Sequence, residues 1–112
     1  MLPQDNLTGL IVDNTVTFMG RQFYNDFAAA WLDQGMTDAK NISIHEQPTA
    51  VSGTRIWIEY NQQILFQAFI SPVRADIDNT SKRAAAVVAQ RFKAIELERS
   101  LFKDPDLGYD EL

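Results

Sequence analysis

Val16, Gly20, Phe23, Phe27 and Trp31 recur at spacings of three and four, which puts them on one face of a helix. Thr15 or Thr17 can cap its start, because a hydroxyl there accepts from a free backbone N–H. Gly35 can end it in a left-handed conformation. These signals predict a helix over about residues 17–33. From Asn41 to Gln47 the period changes to two, with Ile42, Ile44 and Glu46 opposite Ser43, His45 and Gln47, and Pro48 closes the run. Thr54 to Tyr60 alternates again, Asn61-Gln62 fits a tight turn, and Gln63 to Ile70 forms a third strand with Ile64, Phe66, Ala68 and Ile70 on one side and Leu65, Gln67 and Phe69 on the other. A two-residue turn sets Glu59 opposite Ile64, Trp57 opposite Phe66, Arg55 opposite Ala68 and Ile58 opposite Leu65. Both faces of this hairpin then carry apolar side chains. One needs the helices, and the other, with Trp57, Ile64, Phe66 and Ile70, needs a further cover.

Ser71-Pro72 suits a helix start, as N-cap and first-turn proline. Asp76 and Asp78 early, with Arg91, Lys93 and Arg99 late, match the helix dipole. Val73, Ile77, Ala84, Val88, Phe92 and Ile95 form the apolar stripe of a helix over about 73–100. Ahead of the first helix, Leu10-Ile11-Val12 fits either a short strand or a packed arm. The expected fold is therefore α+β: an antiparallel sheet of three to four strands, two helices packed on one face, order α-β-β-β-α, and a flexible acidic C-terminal tail. The expected layout is an N-terminal arm over 1–15, one α+β domain over 16–102, and the acidic tail over 103–112.

Composition narrows the function. At 112 residues and 46% hydrophobic, the chain is one ordinary globular domain with no need of a metal or disulfide staple. It has no cysteine, which excludes disulfides, thiol nucleophiles and thiolate metal sites. No apolar run approaches the ~20 residues of a membrane helix, so membrane insertion is not expected. The opening Met1-Leu2-Pro3-Gln4-Asp5 shows no signal peptide. Net charge is −5, and residues 103–112 hold four acids (Asp104, Asp106, Asp110, Glu111) against Lys103. Such a tail repels phosphate backbones and anionic membranes, so no nucleic-acid partner is expected.

Few residues in the chain are set out for chemistry. His45 is the only histidine, with no nucleophile and acid at triad spacing, and reads as a surface or structural residue. Asp104-Pro105-Asp106-Leu107-Gly108-Tyr109-Asp110 fails the calcium-loop pattern at its fifth, sixth and twelfth positions. The pairs Asp76/Asp78 and Glu96/Glu98 are two apart and do not share a helix face. The glycosylation triplets at Asn6, Asn41 and Asn79 are weak signals, and the glycines form no phosphate cradle. Lys82, Arg83, Arg91 and Lys93 read as a solvated basic face, or as an attachment point for an acidic segment. No catalytic residue, cofactor or metal is expected. The Phe23, Phe27, Trp31 stripe reads as core. The Trp57/Phe66 side of the hairpin reads equally as a contact surface or oligomer interface, or as a face covered by the N-terminal arm. A binding module is favoured over an enzyme.

An ordered set of motifs carries a resemblance. It runs Gly9-Leu10-Ile11, Asp13, Thr15-Val16-Thr17, Gly20, Phe23-Tyr24-x-x-Phe27 and Trp31. It continues through Asn41-Ile42-Ser43-Ile44, Glu46-x-Pro48-x-Ala50, Gly53, Asn61-Gln62, Ile64-x-Phe66-Gln67-x-Phe69 and Pro72. It closes on Asp106-Leu107 and Asp110-Glu111-Leu112. Over about residues 9–112 the chain resembles the CsgE family of the curli amyloid secretion system. The resemblance implies a periplasmic protein whose signal peptide is removed. It implies an adaptor that caps the outer-membrane curli secretion channel, directs curli subunits into it and restrains premature fibril formation. It also implies ring-like self-assembly. Against a homo-oligomeric ring stand Ser52 and Arg83, at positions where some relatives carry aromatics. Trp57 and Phe66 are the expected apolar contact, and Asp106, Leu107, Asp110, Glu111 and Leu112 the expected docking tail. The competing reading is a cytosolic secretion chaperone holding an effector, which fits the acidity and the helix–sheet alternation but not the ordered motifs.

Overall fold

The structure is a computed structural model that describes residues 11–103. The elements are β1 (Val12–Asn14), α1 (Phe18–Asp33), β2 (Ile42–Pro48), β3 (Thr54–Tyr60), β4 (Gln63–Ile70) and α2 (Arg74–Lys103). The strands form one sheet in the order β1-β2-β3-β4. The expected α+β architecture is present, with one addition in front. Of Leu10-Ile11-Val12, for which strand and packed arm were both open, Leu10 lies outside the described residues, Ile11 is buried ahead of the strand, and Val12 opens β1. β1 runs parallel to β2, so the sheet is mixed and not wholly antiparallel. The reason is the intervening helix: a crossover returns the chain in the same direction, whereas tight turns reverse it.

Local chemistry sets the ends of α1. Thr17 is extended (φ −104°, ψ 168°), and its hydroxyl accepts from Gly20 N at 3.1 Å. At the other end Gly35 takes φ +80°, its N–H reaches Leu32 O at 2.9 Å, and Met36 N reaches Trp31 O at 3.2 Å. This paired closure satisfies carbonyls that the helix end would strand. Between the caps, Phe23, Phe27 and Trp31 are fully buried, and their rings stack at centroid distances of 6.2 and 5.7 Å. Trp31 then meets Phe92 of α2 edge-on at 5.8 Å, and Phe92 meets Tyr60 of β3 at 4.9 Å. One aromatic run thus ties both helices to the sheet, each pair contributing about 0.5–1.5 kcal/mol beyond its buried area.

On the sheet, Ile42, Ile44, Ile56, Ile58, Leu65 and Ile70 face the helices, and none is more than 2% exposed. From α2, Ile77, Ala84, Val88 and Phe92 are buried and Ile95 packs at the margin, as the stripe predicts. Val16 and Val73 do not join their stripes: they are 72% and 59% exposed. Both stand just before the first helical turn, where the 3.6-residue repeat has not begun. Ser71 is not an N-cap either. It donates from its N–H (2.9 Å) and hydroxyl (3.1 Å) to Asp76 Oδ2, and the Val73 carbonyl accepts the first helical bonds. α2 also runs on to Lys103, beyond the predicted end near residue 100.

The β3–β4 turn is as expected. Asn61 and Gln62 both take positive φ, 51° and 68°, the combination that matches the twist of a two-residue hairpin. The register holds only for its first pairs, Tyr60↔Gln63 and Glu59↔Ile64. A bulge follows, and β4 slips by one residue, so Ile58 pairs with Phe66, Trp57 with Gln67, Ile56 with Ala68 and Arg55 with Phe69. The predicted pairs Trp57–Phe66, Arg55–Ala68 and Ile58–Leu65 are therefore corrected. The extra residue is Leu65, whose side chain the core takes in and whose carbonyl accepts from Arg91 Nη1 at 3.1 Å.

Candidate functional site

Both helices cover the same face of the sheet, and the other face is left to a set of paired polar and aromatic side chains. The strand registers place them in rows. Ser43, Glu59 and Ile64 share one row, His45, Trp57 and Gln67 the next, and Gln47, Arg55 and Phe69 the third. Alternation along β2 and β3 dictates this, since every second residue turns away from the core.

At the centre, the His45 and Trp57 rings stack at 5.4 Å with planes 11° apart. The Arg55 guanidinium lies 4.6 Å from the Trp57 ring centroid. Trp57 Nε1 donates to Glu59 Oε2 at 2.9 Å, while Glu59 Oε1 lies 3.7 Å from His45 Nε2. His45 Nε2 also bonds the Ser43 hydroxyl at 2.8 Å. Arg55 donates Nη1 to Gln67 Oε1 (3.2 Å) and Nη2 to Gln47 Oε1 (3.0 Å). Val12, Ile64 and Phe69 flank this network, 50%, 47% and 56% exposed. The face thus combines held polar groups with accessible apolar surface, the make-up of a contact surface. His45 lies beside Glu59 and Ser43, and the serine hydroxyl bonds the same ring nitrogen that faces the acid.

Of the residues singled out in the sequence, Trp57 lies half-buried on this open face. Phe66 lies on the opposite face, packed against the core, with the Arg83 guanidinium 5.9 Å from its ring. The bulge at Leu65 separates the two, so they form no joint contact. Asp106, Leu107, Asp110, Glu111 and Leu112 lie outside the described residues. Ser52 is exposed in the β2–β3 loop, and Arg83 is exposed on α2. Of the basic stretch on α2, Lys82 pairs with Asp78 at 3.2 Å, and Arg83 and Arg91 are engaged by Phe66 and Leu65 as described.

Sequence reasoning missed the grouping of Gln47, Arg55 and Gln67, because it exists only across three strands in the true register. The strand sequence gives no clear sign of the bulge, since apolar runs stand at both Ile64-Leu65-Phe66 and Ala68-Phe69-Ile70. Among the described residues no three His, Asp or Glu side chains are grouped to hold a metal ion, and no helix is long and apolar enough to cross a membrane. A shallow concavity of about 420 Å³ at the Asn61–Gln62 end of the sheet is bordered by Val12, Ser43 and Glu59.

Comparison with known proteins adds a family. The family model for the curli assembly protein CsgE matches residues 7–111. The chain is 32% identical over 103 residues to the curli production assembly/transport component CsgE of Salmonella typhi, covering 92% of this chain and 76% of that protein. The proteins of the same name from Escherichia coli O6:H1 and O157:H7 are also 32% identical over 103 residues, with 92% and 78% covered.

Proposed function

The chain belongs to the CsgE family of curli assembly proteins, and from that premise we propose that it is a non-enzymatic periplasmic adaptor of curli secretion. Membership carries an accessory role in curli assembly and transport. In the finer reading, the protein caps and gates the outer-membrane secretion channel, directs curli subunits into it and restrains their premature fibril formation. The observation that carries this reading is the open sheet face. Its polar side chains are bonded to one another and its apolar ones are exposed, an arrangement suited to holding a polypeptide. Delivering and restraining an amyloid subunit needs capture and shielding of strand edges, with no bond made or broken. Trp57 is the proposed anchor of that face, and Asp106, Leu107, Asp110, Glu111 and Leu112 are the proposed docking tail for the channel. Phe66, turned to the core side, serves the fold.

Size-exclusion chromatography of the chain with the detergent-solubilised curli channel from the same source tests the reading. Co-elution is expected, weakened when residues 103–112 are removed while the circular dichroism spectrum is unchanged. The stoichiometry of the complex reports whether a ring assembles with Ser52 and Arg83 in place. Separate elution at high concentration overturns channel docking, and undiminished binding of the shortened chain overturns the role of the tail.

A further inference from the structure

Among the described residues Arg55 is held by neutral partners, on three strands: Gln47 on β2, Trp57 on β3 and Gln67 on β4. Among the described residues no carboxylate lies within 4.0 Å of its guanidinium nitrogens. The acid two rows away, Glu59, is already engaged by Trp57 and His45. Both glutamine carbonyl oxygens accept from Arg55, which leaves their amide N–H groups as donors, along with the guanidinium N–H groups not used in these two bonds. Gln47, Arg55 and Gln67 are all exposed. Together they make an array of donors with one full positive charge, walled by Trp57 and by Phe69 in the same row.

We propose that this array is a carboxylate receptor that takes an aspartate or glutamate side chain of a partner polypeptide, flanked there by apolar residues. A guanidinium matches a carboxylate with two parallel hydrogen bonds. Here its plane is already set by two amide oxygens and a ring, so little side-chain freedom remains to be lost on binding. The overall charge of −5 opposes an acidic partner only weakly. At physiological salt the screening length is about 8 Å, so the local cation outweighs distant acids. A nucleic-acid backbone is a poorer fit, because it is held by several cations in a row and this face presents one. The inference rests on reading the open face as a contact surface, and it adds what that surface selects.

The test uses the full chain and two capped peptides, acetyl-Phe-Asp-Phe-amide and its asparagine twin. Each is titrated while the side-chain N–H signals of Trp57, Gln47, Gln67 and Arg55 are followed by NMR. The aspartate peptide should move all four sets of signals and bind at least about tenfold more tightly than the asparagine peptide, the worth of a charge-assisted pair. Arg55→Gln should erase that preference with the remaining spectrum intact, and Arg55→Lys should keep part of it. Equal binding of the two peptides overturns the receptor. So does a preference that survives in Arg55→Gln, or no shift up to roughly 10 mM, where a pair of this strength registers. Peptide discrimination without co-elution on the channel removes the channel reading and leaves the receptor standing. Co-elution without discrimination does the reverse.

Discussion

Glu46 stands on the helix side of β2 and reaches the start of α1. Its Oε1 accepts from Val16 N (2.7 Å) and Thr17 N (2.9 Å), and its Oε2 accepts from Thr54 Oγ1 (2.8 Å) and from the Thr17 hydroxyl. A strand residue thus supplies the acid that the first turn of α1 lacks. Burial pushes the carboxyl up, but the hydrogen bonds from Thr17, Val16 and Thr54 together outweigh it and hold the group below its ordinary value of 4.5. A depressed carboxyl stabilises the fold above its unfolded pKa, and that contribution is lost as pH falls through the folded value. Glu46→Gln should therefore cost about 1–3 kcal/mol near neutrality in urea denaturation, and the gap to the parent should close as the pH drops below about 4.5. Gly20 belongs to the same cluster: an added Cβ would collide with the Glu46 carboxylate and lie 2.9 Å from Thr15 Cβ. In a helix interior alanine ordinarily gains about 0.5–1 kcal/mol over glycine. Here Gly20→Ala should destabilise, and a double-mutant cycle with Glu46→Ala should recover part of the loss, with a coupling of about 0.5–3 kcal/mol.

α2 changes character along its length. Thirty residues span roughly 45 Å. Up to Phe92 its stripe is buried, and Tyr60 bonds Glu96 with Arg99 lying 5.8 Å from the Tyr60 ring. Leu97 and Leu101 are then 63% and 52% exposed. Phe92→Ala should cost about 3–5 kcal/mol in thermal or urea unfolding, whereas Leu97→Gln should stay within about 0.5 kcal/mol. The stripe's residues were legible in the sequence because spacings of three and four continue from Ile77 to Ile95. Where it stops mattering was not, because that depends on how far the sheet extends beneath it. α1 was legible at both ends, since Thr17 and Gly35 act within their own turns. β4 was legible as a strand but not in register: an inserted residue costs nothing in local propensity, yet it turns every later side chain to the other face. For the same reason Trp57 was found, while its neighbours Gln47, Arg55 and Gln67 were not seen as a group.

At the scale of the whole molecule, the sheet divides the work. Its helix side holds the fold through Ile44, Ile58, Phe66 and the helices, and its other side presents Trp57, Arg55 and their partners. Phe66→Ala should destabilise the fold by about 1–3 kcal/mol, for a ring partly withdrawn from water, seen as a lower denaturation midpoint, and leave partner binding per folded molecule unchanged. Trp57→Ala should cost about 1–3 kcal/mol, from its half-buried ring and its stacking and cation contacts, and should weaken binding of the polypeptide that the open face holds. Equal effects of both changes on both readouts would contradict the division.

The two tryptophans fall one on each side of that divide, Trp31 sealed among rings and Trp57 half-open beside a cation and a histidine. The protein therefore carries two intrinsic fluorophores with separate duties. With Trp31 replaced by phenylalanine, the remaining emission reports on whatever touches the open face. With Trp57 replaced instead, it reports on the interior, so one chain yields optical probes for engagement and for unfolding without any attached dye.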